Sequence, residues 1–479
     1  MLIKIFVPME TTEAIAMTIA DVLRSIASRP RSSTKGPLDA DEAPPLSPQV
    51  AARLSSSSRQ ASPRPSSSLR RSPVGSPARL STTSSSSRAA TTMITKDFSY
   101  LLKPEIYHQL SPLAVPAPFR NSPRQPAPET PIPELLAGGH FRAAAIAAVQ
   151  ALTGSGSPGA AAVNPADHAR IFQLLYTRLA CLCLADATAL AAQEARALED
   201  MGSAFYYADA AASVPQHHLA PWELRVLGVR LQAIGFGDPR RAVTGYYDLA
   251  REARVGAREA ARAHDHSAAE LWKARLADLG VRVAGALIEM DDPAAAAEHL
   301  ATLDRDEDEK RRRRAAGGGH DAGGGDGGKL AVSRALVWLH LGDVGAARRC
   351  VADGRAGSET AEKVIDALAD MADGEYEGAL GKWRALRAEM EESGVRDEMV
   401  GVNLAVCLLY VGRMEEGREI LEGLVDAGLA SHTLLFNLTT MYELATDRAK
   451  GLKVRLAERV AELEPSPHGW EKTNADFKL

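Results

Sequence analysis

Residues Val402–Leu424 read "VNLAVCLLYVGRMEEGREILEGL". The stretch divides into an apolar run ending near Tyr410, a break at Gly412, and a second run that carries Gly417 and Leu421. Its apolar residues recur in three- and four-residue steps, the period of a helix with a buried face. The order of apolar helix, Gly or Asp, then a second helix opening on a small residue returns along the chain. It is found in "LRVLGVRLQAIGFGDPRRAVTGYYDLAREAR" (224–254), "LGVRVAGALIEMDDPAAAAEHLATL" (279–303), "AVSRALVWLHLGDVGAARRCV" (331–351) and "DALADMADGEYEGALGKWRAL" (366–386).

The turn positions Gly342, Gly374, Gly412 and, by alignment, Thr446 lie 32, 38 and 34 residues apart. These spacings bracket the tetratricopeptide period of about 34 residues. Units around Gly237 and Asp291 are more widely spaced and carry insertions. After each turn a small residue is followed by a large one: Gly417 and Leu421, Ala347 and Val351, Ala379 and Trp383, Ala242 and Tyr246. Small against large lets helices of neighbouring units interdigitate. The expected fold is all-α, a superhelical array of tetratricopeptide-like helix pairs behind a long disordered N-terminal region. No run of alternating Val, Ile and aromatic residues points to a strand.

Shifted by one repeat, "LLFNLTTMYEL" (434–444) lies on "NLAVCLLY", with Asn437 on Asn403, Thr439 on Ala405 and Tyr442 on Leu408. Thr439 then occupies a small packing position, where its hydroxyl bonds back to a carbonyl four residues earlier. The expected packing residues are Ala347, Ala379, Ala405, Gly417, Thr439 and Tyr442. Asn437 and Thr440 flank the apolar stripe, where they face a partner or cap a loop. With Phe436 and Asn403 they are the candidate interaction residues.

The 479 residues carry a net charge of −5, unevenly spread. Residues 1–130 hold 16 Lys and Arg against 9 Asp and Glu, and the remainder 40 against 52. A basic tail on an acidic body points to two regions with different partners. Between Ser55 and Ser87, 15 of 33 residues are Ser, too little apolar surface to offset chain entropy. Ser-Pro steps at Ser47, Ser62, Ser72, Ser76, Ser111 and Ser122 suit phosphorylation. The expected divisions are 1–130 disordered, 131–303 N-terminal repeats, 304–329 a disordered charged and Gly-rich insert, 330–464 C-terminal repeats, and 465–479 a tail. The apolar patch Leu2–Val7 ends at Pro8, short of a signal peptide core, and no apolar run is long enough for a membrane span. The expected compartment is the cytosol.

Reactive motifs are sparse. "GGGDGGKL" places Gly323, Gly328 and Lys329 at P-loop spacing, but Leu330 stands where Ser or Thr must hold magnesium, and charges precede it instead of a strand. The His pairs at His217–His218 and His264–His266 lack the further ligands a zinc site needs. Cys181, Cys183, Cys350 and Cys407 lie in apolar helical patterns, where thiols behave as small hydrophobes. "KRRRR" (310–314) directly follows "DRDEDE", a self-compensating loop. No catalytic residue, cofactor, metal or nucleic-acid partner is expected. A chaperone-type carboxylate clamp needs Lys and Asn on the inner face, where this chain places Val402, Val406, Val332 and Leu336. An apolar inner face implies a lasting protein partner.

"NLAVCLLYVGRMEEGREILEGLV" (403–425) and "LLFNLTTMYELATDRAKGLKVRLAE" (434–458) resemble the C-terminal repeats of the subunit 12 family of the trafficking protein particle (TRAPP) complex. "ELLAGGHFRAAAIAAVQAL" (134–152) resembles the start of its folded region, and "GYYDLAREAR" (245–254) its fungal forms. The likeness spans roughly residues 130–479, while the Gly-rich insert at 315–328 departs from it. It implies a non-catalytic scaffold of a vesicle-tethering complex in endoplasmic reticulum-to-Golgi transport and autophagy. The implied partners are other TRAPP subunits and, indirectly, Rab-family GTPases. The implied location is cytoplasmic, peripherally at endoplasmic reticulum and Golgi membranes, without membrane insertion. The other class of function compatible with the repeats is a free-standing peptide-binding adaptor of kinetochore or co-chaperone type.

Overall fold

Each helix pair is made at its turn. Gly342, Gly374 and Gly412 adopt φ of 85°, 83° and 82°, a region that side chains with a Cβ avoid. The next residue's N–H then reaches back five residues: Asp343 to Trp338 O at 3.0 Å, Glu375 to Asp370 O at 2.9 Å, and Arg413 to Leu408 O at 2.7 Å. This is the Schellman closure of a helix C-terminus. In the "LGD" turn the following Asp343 also opens the next helix, accepting from Ala346 N at 2.8 Å. Gly237 and Asp291 repeat the closure, at φ of 65° and 61°. Thr446 does not. β-Branched Thr is held at φ −159°, and its hydroxyl accepts from Arg448 N at 3.2 Å to start the final helix.

The computed structural model describes residues 96–479 apart from 157–158, 160, 209–217, 317–324, 353–354, 393 and 395. The expected disordered region over 1–95, including Ser47, Ser62, Ser72 and Ser76, lies outside the described residues, as do Gly323 and His217. Among the described residues there are no strands, only an isolated bridge between Tyr207 and His218.

The helices are α1 (Ala117–Arg120), α2 (Ile132–Ala137), α3 (Phe141–Thr153), α4 (His168–Leu184), α5 (Thr188–Ala195) and α6 (Trp222–Phe236). They continue as α7 (Arg240–Arg262), α8 (His266–Glu289), α9 (Pro293–Ala316), α10 (Gly325–Leu341), α11 (Val344–Val351) and α12 (Glu359–Asp373). The last are α13 (Tyr376–Glu392), α14 (Glu398–Tyr410), α15 (Met414–Asp426), α16 (His432–Ala445) and α17 (Ala449–Ala461). Helices α2 to α17 pack in sequence order, each against the next. The apolar interior runs on through four clusters; three draw their residues from adjoining elements, and the fourth joins Val115 and Phe119 to the last pairs. A core built in such segments is the expected consequence of stacking units that touch mainly their neighbours.

Three expected boundaries change. Residues 96–130 are ordered, because spaced apolar anchors hold a Pro-rich strand of chain: Phe98, Leu101 and Phe119 are fully buried, and Val115 nearly so. The charged insert does not begin at 304, because α9 continues to Ala316. Acidic residues at 306–309 precede basic ones at 310–313 by four positions, the spacing and order that favour a helix. Asp304 is a structural residue, accepting from Trp338 Nε1 at 3.0 Å and pairing with Arg334 Nε at 3.2 Å. The segment 465–479 is no free tail either, since Trp470 and Phe477 are core residues.

Gly412 isolates the turn chemistry, since a Cβ there would meet nothing within 4 Å. Gly412→Ala is expected to lose about 1 kcal/mol through backbone strain alone, read by urea denaturation. An unchanged midpoint would show that this turn does not require a left-handed residue.

Candidate interaction surface

The small positions lie where helices approach most closely. Ala347, Ala379 and Ala405 are fully buried. A Cβ on Gly417 would stand 2.9 Å from the Ala405 carbonyl oxygen, so α14 and α15 approach closely at this point. Thr439 is fully buried, and its hydroxyl donates to Leu435 O at 2.8 Å and Phe436 O at 3.0 Å. Tyr442 is buried as well, with its hydroxyl 3.0 Å from Glu422 Oε1.

The candidate interaction residues are placed differently from the expectation. Asn403, Asn437 and Thr440 are no more than 2% exposed. Phe436 is half-buried beneath the chain's own C-terminus: Lys478 Nζ sits 4.2 Å from its ring centroid. The same ammonium donates to the Thr440 hydroxyl and to Glu443 Oε2. Lys453 Nζ joins the cluster, donating to Glu443 Oε1 and to Lys478 O. Phe436, Thr440 and Glu443 recur at helical spacing, so one face of α16 receives the last residues of the chain. Val402, Val406, Val332 and Leu336 also differ from the expectation. They are core residues under 9% exposed, not an apolar face offered to a partner.

The covering segment is anchored by aromatic rings that the repeat pattern does not mark. Phe119 of α1 packs edge-on against Trp470, with centroids 5.4 Å apart, and tilted against Phe477 at 6.0 Å. Asn474 N donates to Ala114 O at 2.8 Å, and Asn474 Nδ2 to Leu113 O at 2.8 Å. Trp470 N donates to Gly139 O at 3.2 Å, and Arg142 pairs with Glu471 at 3.6 Å. Gly139 permits this approach, since a Cβ there would stand 2.1 Å from Ser466 O. The chain before α2 and the chain after α17 thus tie the first helix pair to the last. The sequence signal for this was a set of isolated aromatics in segments with no helical period.

Buried polar groups brace both ends of this closure. Asp476 accepts from Thr473 N at 2.6 Å and bonds to His432 Nδ1. Burial by itself would raise the Asp476 carboxyl, but the His432 hydrogen bond and charge outweigh it and hold the group below its ordinary range. A depressed carboxyl contributes stability that is present above its unfolded value and lost as pH falls through the folded one. Burial pushes Lys472 down; Asp476 and Glu398 partly offset this. At the other end, Arg178 and Glu194 form a bidentate pair at 2.9 and 2.6 Å, both under 3% exposed. Glu194 also accepts from His108 N at 2.8 Å, and Arg178 Nη2 donates to His108 O at 2.7 Å, fastening the irregular segment before α1.

The reactive groups are occupied structurally. Burial raises the Cys181, Cys350 and Cys407 thiols to about 12, far from a reactive thiolate. His218 bonds to Met201 O at 2.9 Å and to Ala220, and burial lowers its pKa. Lys329 lies inside α10, and a Cβ on Gly328 would stand 2.3 Å from Ala356 O, so that glycine serves helix packing. Among the described residues no three His, Cys, Asp or Glu side chains gather as metal ligands. A surface groove of about 440 Å³ runs between α13, α14 and α15, floored by Met390, Val400, Ile420 and Leu424. Its rim carries both charge signs, Arg387 and Arg396 beside Glu391 and Glu416.

No family model matches the chain. It is 41% identical over 69 residues to trafficking protein particle complex subunit 12 of Homo sapiens, covering 14% of this chain and 9% of that protein. The Mus musculus protein of the same name is 43% identical over 65 residues, covering 13% and 8%. The matched stretch therefore spans under a tenth of either relative's length. The crystal structure of the P58(IPK) TPR domain aligns with 69% of this chain and 95% of that one, at 15% identity. Its TM-score of 0.18 is too low to relate the two arrangements.

Three substitutions test the register and the closure. Thr439→Arg is expected to destabilise the C-terminal pairs by more than about 3 kcal/mol, because a long charged side chain enters a filled, dry site. An unchanged melting temperature would refute this packing. Phe119→Ala and Trp470→Ala should each cost about 3–5 kcal/mol, with a coupling on the order of 0.5–3 kcal/mol in the double mutant. Strict additivity in denaturation would mean that the two rings do not share one contact.

Proposed function

We propose that the chain is a non-catalytic scaffold subunit of a TRAPP-type vesicle-tethering complex. On this reading it works in endoplasmic reticulum-to-Golgi transport and autophagy and supports Rab GTPase activation carried out by other subunits. Its site of action is the cytoplasmic side of those membranes, reached through the complex. No helix among the described residues is long and apolar enough to cross a membrane.

The observation that carries the reading is the 41% identity over 69 residues to the human protein whose name places it in the trafficking protein particle complex. The architecture supports it. Stacked helix pairs present extended surface to protein partners, and the titratable groups serve packing and closure rather than a convergent site. The adaptor reading draws less support, because the sequence's best candidate for a peptide-receiving face, around Phe436 and Thr440, is filled by Lys478.

Native mass spectrometry of the chain purified from its own cells tests the proposal. The expected result is a large hetero-oligomer containing further trafficking protein particle subunits. Recovery as a lone chain, or with chaperones only, would overturn it.

A further inference from the structure

The outward side of α7 carries a row of arginines. Ala242, Tyr246, Leu249, Ala250 and Ala253 bury one side of this helix. At 3.6 residues per turn, Arg251, Arg254, Arg258 and Arg262 fall on the opposite side, and all four are exposed. Arg240 extends the row to about 33 Å, the rise of 22 residues. Tyr247 and Val255 interrupt it, 40% and 48% exposed. Arg251 pairs with Asp248 on its own helix. Arg254, Arg258 and Arg262 make no ion pair or side-chain hydrogen bond among the described residues, unlike the intrahelical and interhelical pairs of Arg384, Arg413, Arg418 and Arg459. Like charges four residues apart destabilise a helix, so the row is held at a cost that an anionic partner would reverse.

We propose that this row docks an acidic polypeptide segment of a partner protein. The width of the row selects that chemistry. Asp248, Glu252 and Glu259 lie along one flank, roughly 60–100° around the helix axis, so the positive strip is about one side chain wide. A lipid headgroup plane or a nucleic-acid duplex spreads negative charge over tens of ångströms and would meet those carboxylates. A single Asp- and Glu-rich segment fits between. Guanidinium groups suit this partner because they bind carboxylates in bidentate fashion. Tyr247 and Val255 supply apolar contact between the charges, as in protein interfaces. The inference holds independently of which assembly the chain serves.

Binding of fluorescein-labelled poly-L-glutamate to the full chain, followed by anisotropy at low and physiological salt, tests it. Binding that weakens with salt is expected. The triple variant Arg254→Glu, Arg258→Glu, Arg262→Glu should lose about tenfold or more in affinity. The control with the same charge change, Arg384→Glu, Arg413→Glu, Arg418→Glu, should stay within about twofold. If the triple charge reversal perturbs the helix by circular dichroism, the Arg→Gln triple decides, with a smaller loss in the same direction. Absence of binding at low salt, or an equal loss in the control, overturns the proposal. So does tighter, equally Arg-dependent binding to phosphatidylserine vesicles or duplex DNA.

Discussion

A helix pair of this kind cannot bury its apolar side alone, so every pair needs a neighbour and the two end pairs need a cover. Inner pairs solve this by stacking, which is why the core passes from one cluster to the next along the chain. At the ends the chain covers itself. Phe119, arriving from before the first pair, and Trp470 and Phe477, arriving from beyond the last, meet in one aromatic contact. The backbone bonds from Trp470 to Gly139 and from Asn474 to Ala114 then fix both segments. The segments that flank the described pairs thus join the first pair to the last.

The repeats were legible because they are dictated locally. A left-handed residue at most turns and an alternation of small and large residues set the pairs, and both can be read at fixed spacing; capping Asp343 and Asp292 add to this at two turns. Gly342 and Asp343 show the economy of it, since adjacent residues close α10 and open α11. The closure was not legible for the complementary reason. Phe98, Val115, Phe119, Trp470 and Phe477 sit in irregular segments, where no period declares which side is buried; Phe98 packs on Phe172 and Tyr206, and Phe119 on Trp470 and Phe477, all far off in sequence. Composition therefore read 96–130 as disordered, although a few large anchors suffice to order it. The burial of the candidate interaction residues was illegible for the same reason. Asn437 and Thr440 are polar at the edge of an apolar stripe, which means a solvent-facing edge only if nothing else arrives, and Lys478 does. Asp304 was misread by its neighbours: the charge run after it suggested a loop, whereas the order of its charges builds a helix.

Electrostatics divides the surface. Across α11, α12 and α13, Arg348 and Lys382 share Asp366, Asp370 and Asp373 in one network. Burial would raise the Asp366 carboxyl, yet its two cationic neighbours hold it below its ordinary range. Each exposed pair of this sort is worth little by itself, but repeated between successive pairs such contacts fix how one unit sits on the next. The outer row of α7 departs from this habit. Three of its arginines are left without a carboxylate within the described chain, while acidic side chains on the same helix stand to one flank instead of between them.

These features bear on where a partner can be received. The first helix of the last pair is α16. There Phe436, Thr440 and Glu443 are satisfied internally by Lys478 and Lys453, so a ligand would have to displace a cation–π contact, two ion pairs and the aromatic closure that secures them. Displacing that set exposes Phe477 and Trp470 as well, which a short peptide cannot cover. The outer side of α7, with Arg251, Arg254, Arg258 and Arg262 exposed, bears no such cover among the described residues. On the proposed scaffold reading, contacts with other subunits therefore fall on outward faces such as that of α7, while the sealed ends keep the array in a single register beneath them.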